Sequence, residues 1–166
     1  MDRHQLGQLS PPDAEVALRS YARRFPLLFD DADLAPGELP LHQAVWRGWS
    51  VNGRLDAIAH TVEALDAALT KVAVHERPAL PGSLLTSSTP TAAGPDAGAT
   101  LAGLASALLE AADRVGATPL QAWSRPCTVG GADSDAHELL RQLVAEGRTA
   151  LDELAAVIDA ARLASS

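Results

Sequence analysis

The stretch from Leu55 to Val72 constrains this chain more than any other. Leu55, Ile58, Val62, Leu65, Leu69 and Val72 follow one another by steps of 3, 4, 3, 4 and 3. That spacing places six apolar side chains along one stripe of an α-helix, whereas a strand would divide them between two faces. It is also the heptad-like step by which helices lie side by side in a bundle. A helix with one apolar stripe gains most of its stability from packing, so the chain must supply other helices to cover it.

Three further segments meet that need. A first helix is expected from about Pro11 to Phe29, with Ser10 as its cap and the two prolines in a first turn that needs no N–H from them. Leu18, Tyr21, Phe25 and Leu28 share one face of it, and Pro26 is expected to kink or end it. The striped second helix is capped by Ser50 and runs to about Val74. A third spans about Ala99 to Val115, with Gly116 as its stop. A fourth starts near Ser134, after a Gly130-Gly131 turn, and continues to about Leu163 with Leu140, Leu143, Gly147, Leu151, Leu154 and Ile158 inside. Gly147 costs roughly 1 kcal/mol against alanine in a helix interior, so close approach of a neighbouring helix is expected there.

The connections differ in kind. Between Asp30 and Trp49 a loop is expected, with at most a short helical turn over Leu41 to Trp46. Glu76 to Thr100 carries Pro78, Pro81, Pro90 and Pro95 among Ser, Thr and Gly, a composition that predicts no regular element. A crossover of that length lets the second and third helices run parallel. The expectation is therefore an all-α four-helix bundle, one domain over residues 1–166, with irregular ends at 1–9 and 164–166. Few β-branched or aromatic residues compete with it, since aromatics make up only 4% of the chain.

Charge and cysteine content exclude several classes of function. A net charge of −8, a single lysine (Lys71) and scattered arginines cannot neutralise a phosphate backbone, so no nucleic-acid partner is expected. Cys127 is the only cysteine, which rules out an internal disulfide and a cysteine-rich zinc site. No apolar run reaches the roughly 18–20 residues of a membrane span, and the first ten residues lack a leader's apolar core. A cytoplasmic location away from membranes is the expectation.

Four separate segments carry a family resemblance. They are Gly48-Trp49-Ser50-Val51 opening the second helix, His75-Glu76-Arg77-Pro78-Ala79-Leu80-Pro81 following it, Ala122-Trp123-Ser124-Arg125 before the glycine turn, and Leu139 to Leu154 around Glu146-Gly147. In order and spacing the chain resembles the DinB-like and mycothiol-dependent maleylpyruvate isomerase superfamily, over roughly Ala14 to Ala160. The resemblance implies a four-helix bundle, often a homodimer, holding a divalent metal such as Zn or Ni with three histidines. It also implies a low-molecular-weight thiol activated by that metal, because a coordinated thiol is deprotonated near neutral pH. The chain departs from the pattern at the ligands. Ala57 stands at the position of the second-helix histidine, and Ala145 and Thr149 at the fourth-helix pair. No cofactor is therefore expected here.

The remaining candidates follow from that loss. Glu146 and His60 could serve as acid–base groups in a surviving cavity lined by Ala57, Ala145 and Thr149, and His60 could bind a metal only if the site were shifted by a turn. His75 is fifteen residues from His60, about 22 Å along a helix, too far to share an ion. His42, His60 and His137 make a weaker trio, and His4 lies in a segment with no predicted structure. Trp46, Trp49 and Trp123 could line one end of a pocket. Cys127 follows Arg125-Pro126 in a presumed loop, where the arginine would lower its thiol pKa. The expected function is a metal-independent enzyme on a small organic molecule, related to thiol transferases and isomerases; the alternative is a non-catalytic ligand-binding or dimerisation module with a retired metal site.

Overall fold

A computed structural model describes residues 9–30, 40–85, 89–91 and 94–165. Four helices pack against one another: α1 (Pro11–Asp30), α2 (Val51–Val74), α3 (Ala97–Ala117) and α4 (Ala136–Ser165). The stripe of α2 is buried along its whole length, with Leu55, Leu65 and Val72 fully shielded from solvent. Around the bundle the order is α1, α3, α2, α4, so that α1 lies diagonally across from α2 and α3 across from α4.

Side-chain pairs fix the directions. Arg19 of α1 reaches Asp113 of α3, and Glu15 lies against Gly116, so these helices are antiparallel. Arg114 pairs with Asp66, while Gly94, just before α3, lies against Asn52 at the start of α2. The second and third helices are therefore parallel, as the long crossover requires. Arg54 with Glu153 makes α2 and α4 antiparallel, and Tyr21 against Gly147 with His137 against Leu9 makes α1 and α4 parallel.

The helix starts follow local chemistry. Ser50, fully buried, accepts the Gly53 N–H at 2.9 Å and gives α2 its expected first residue. Asp96 accepts from Ala99 at 3.0 Å, so α3 begins at Ala97, two residues before the expected start. Asp135 caps α4 by accepting from the Glu138 N–H at 2.7 Å, so the helix begins at Ala136, two residues after the expected start. Two residues expected to kink or end a helix lie inside one. Pro26 lies inside α1, which continues to Asp30 because Phe25 on one side and Leu28 and Phe29 on the other pack on the core. Gly116 is also internal, and α3 ends one residue later, with Thr118 as its cap.

A small sheet, absent from the sequence expectation, ties the crossover to the last loop. Strand β1 (Ala79–Leu80) pairs in parallel with β2 (Pro126–Val129), which pairs antiparallel with β3 (Ala132–Asp135). Gly130 and Gly131 join the last two with φ of 59° and 88°, the left-handed pair that a two-residue hairpin demands. A further turn of 3-10 helix, Gly82–Leu85, follows β1. The proline-rich crossover thus holds regular elements after all. Leu80, Cys127 and Val129 are buried, so the sheet caps the core at one end of the bundle. Among the described residues before α2 there is a hydrogen-bonded turn, in which the Pro40 carbonyl accepts from the Gln43 N–H at 3.0 Å, and no helix over Leu41 to Trp46. Instead Trp46 and Trp49 bridge across a tight turn at Arg47-Gly48.

Candidate functional site

Arg54 with Glu153 joins α2 to α4, and in that antiparallel register Ala57 stands level with about Ala150. The three positions expected at a metal site are Ala57 on α2 and, one turn apart on α4, Ala145 and Thr149. Their side chains are two methyl groups and one exposed hydroxyl, with Ala57 and Ala145 half-buried. Behind them the interior is filled by Leu55, Ile58, Val62, Leu143, Leu151 and Leu154, all buried. Among the described residues no group of three His, Cys, Asp or Glu side chains is placed to hold an ion.

The two acid–base candidates are each held by their own helix. Half-buried Glu146 accepts a hydrogen bond from Gln142 at 2.6 Å. The His60 side chain is 72% exposed, with Nδ1 at 2.9 Å from the Asp56 carbonyl and 3.5 Å from its carboxylate. The carbonyl bond, helped by the charge of Asp56, raises the His60 pKa. An imidazole so far out in solvent is a surface group, not a ligand reaching into the bundle.

The tryptophans do not meet. Trp46 and Trp49 stand at the start of α2, each under a guanidinium: Arg47 lies 4.6 Å above the first ring and Arg54 5.1 Å above the second. Trp123 packs near Leu69 and Ala73, towards the other end of that helix. From Arg54 to Leu69 is fifteen residues, about 22 Å at the helical rise. A single pocket with all three in its wall is excluded.

The histidine trio is dispersed too. His42 lies 3.2 Å from the Asn52 amide at one end of the bundle, and His137 lies at the other, its Nε2 at 2.7 Å from the Leu9 carbonyl. His75 is the exposed cap residue of α2, and His4 lies outside the described residues. Cys127 is in a strand, not a loop, and is fully buried. Burial raises its thiol pKa, and Arg125 is turned away to bond the Ala73 carbonyl, so the expected activation does not occur.

What sequence reasoning missed is a groove where α1 and α4 begin. Pro11, Leu120, Trp123, Ser124, Asp135 and His137 surround an open space of about 300 Å³. Trp123 also lines a second cavity of about 20 Å³, beside the Asp66–Arg114 ion pair, with room for about one water molecule. Its indole N–H is buried and has no hydrogen-bond partner. Trp123 and His137 were each candidates in the sequence, but nothing there joined them to Ser124 and Asp135. No family model, curated protein or solved structure matches the chain.

Proposed function

We propose that the chain is a DinB-like bundle that has given up the metal-dependent thiol chemistry of that superfamily and works as a non-catalytic binding module. The observation that carries this is that Ala57, Ala145 and Thr149 carry two methyl groups and one exposed hydroxyl, beside a core of buried Leu55, Ile58, Val62, Leu143, Leu151 and Leu154. Parallel second and third helices joined by a long crossover support the resemblance. The residues present do not fit a divalent metal, because methyl groups and one threonine hydroxyl offer no nitrogen or thiolate donor. No thiol-transfer step can be derived without one. A metal-independent enzyme is the weaker reading, since Glu146 is engaged by Gln142 and His60 stands in solvent.

The test restores what was lost. The full chain, purified without chelator, should carry far less than one equivalent of transition metal by elemental analysis. The triple variant Ala57→His, Ala145→His, Thr149→His should bind about one Zn²⁺ per chain with three imidazoles and an open fourth position. Each single variant should bind far more weakly. A stoichiometric metal in the natural chain would overturn the retired site. A folded triple variant that stays metal-free would overturn the DinB-like register.

A further inference from the structure

The groove at the start of α1 and α4 has a definite polarity. His137 Nε2 donates to the Leu9 carbonyl at 2.7 Å, which fixes the ring at the edge of the groove. Ser124 Oγ donates to the Gln121 carbonyl at 3.0 Å, which leaves its lone pairs for a ligand. Asp135 uses Oδ1 to cap α4, and its other oxygen has no hydrogen bond among the described residues. Two oxygen acceptors, one of them charged, therefore line one space beside the His137 ring. The nearby arginines are spent elsewhere: Arg125 bonds the Ala73 carbonyl and Arg141 pairs with Glu138.

The rest of the lining is apolar. Leu120 is 72% exposed at the rim, an uncovered leucine beside Pro11 and the Trp123 ring. Trp123 is itself only 7% exposed and wedged between two cavities, so it forms a rigid wall. The volume is of the order of small-molecule sites. An aromatic face beside a carboxylate is suited to a cation, and a chain of net charge −8 attracts one.

We propose that this groove binds a small organic ammonium ion with an apolar arm. The ammonium donates to Asp135 and Ser124 beside the His137 ring, and the arm lies along Leu120, Pro11 and Trp123. The proposal rests on the reading of the chain as a binding module, and it names that module's ligand class and site.

The experiment titrates the ¹⁵N-labelled full chain with benzylammonium chloride, against benzyl alcohol and sodium benzoate at constant ionic strength. Saturable shifts are expected at the Trp123 indole N–H and at the amides of Ser124, Asp135 and His137. The alcohol should bind about tenfold more weakly or less, because it lacks the charge that strengthens a hydrogen bond to carboxylate. Asp135→Asn should weaken the amine by about tenfold while keeping α4, since asparagine caps a helix as well as aspartate does. Ser124→Ala, which leaves the cap untouched, should weaken it about threefold by losing one neutral hydrogen bond. No saturable shift, equal binding of alcohol or benzoate, or shifts centred on Trp49 would overturn the proposal. Loss of amine binding leaves the zinc result for the triple variant standing, and failure of that zinc binding leaves the amine result standing.

Discussion

Two glycines inside helices should respond to alanine with opposite signs. Gly103 of α3 faces open space, with no heavy atom within 4 Å of the position a Cβ would take. Gly103→Ala should therefore gain the full helix-propensity difference, about 1 kcal/mol. For a chain of this size that raises Tm by roughly 2–4 °C. Gly147 of α4 has the same intrinsic preference but a different neighbour. A Cβ there would come within 2.7 Å of Tyr21 Cδ2 and 2.9 Å of Cε2, and the ring is 6% exposed and cannot swing away. Overpacking of this kind costs about 1–3 kcal/mol, so Gly147→Ala should be net destabilising by about 1 kcal/mol. The two variants should then differ by about 2 kcal/mol in urea unfolding followed by helical circular dichroism. Truncating the ring closes the cycle: in a Tyr21→Ala background, Gly147→Ala should become stabilising. Equal stabilisation by both alanines in the natural background would refute the claimed approach of α1 to α4.

Two further perturbations test the electrostatics. The Arg54 side chain is 13% exposed and that of its partner Glu153 is 35% exposed, with Arg54 Nε buried and unpartnered. Glu153→Ala strands a mostly buried cation and should cost about 2–3 kcal/mol, whereas Arg54→Met leaves a carboxylate that water can reach and should cost about 1 kcal/mol. The reverse order in urea midpoints would show that the guanidinium is not the buried partner. His60 has a raised folded pKa, so its contribution is fully present below the unfolded value near 6.5 and is lost as pH rises through the folded value. His60→Ala should accordingly lower stability at pH near 5.5 and leave it unchanged near pH 8.5. With so exposed a ring, screening holds the difference to roughly a few tenths of a kcal/mol. A loss of equal size at both pH values would mean that the ring acts by packing alone.

The helices were legible because their signals are local. The 3-4 stripe of α2, the Ser50 cap and the glycine pair at residues 130 and 131 each depend on residues a few positions apart, and helix or turn geometry converts such spacings directly into structure. The long crossover likewise implied parallel second and third helices.

Tertiary structure decided everything that depends on a distant partner. Strand β1 has two residues, too few for any alternation, and exists because Ala79 and Leu80 find Thr128 and Val129. Three helical glycines look alike in sequence, yet one faces solvent, one a flexible carboxylate (Glu15) and one a fixed ring (Tyr21). Cys127 reads as a loop thiol until the hairpin buries it, and the tryptophans read as one cluster until α2 holds them apart. Ser124, Asp135 and His137 meet around one space only because a hairpin folds the chain between them back on itself. Backbone periodicity is set within a few residues, whereas what a side chain touches is set by the register of elements far apart along the chain.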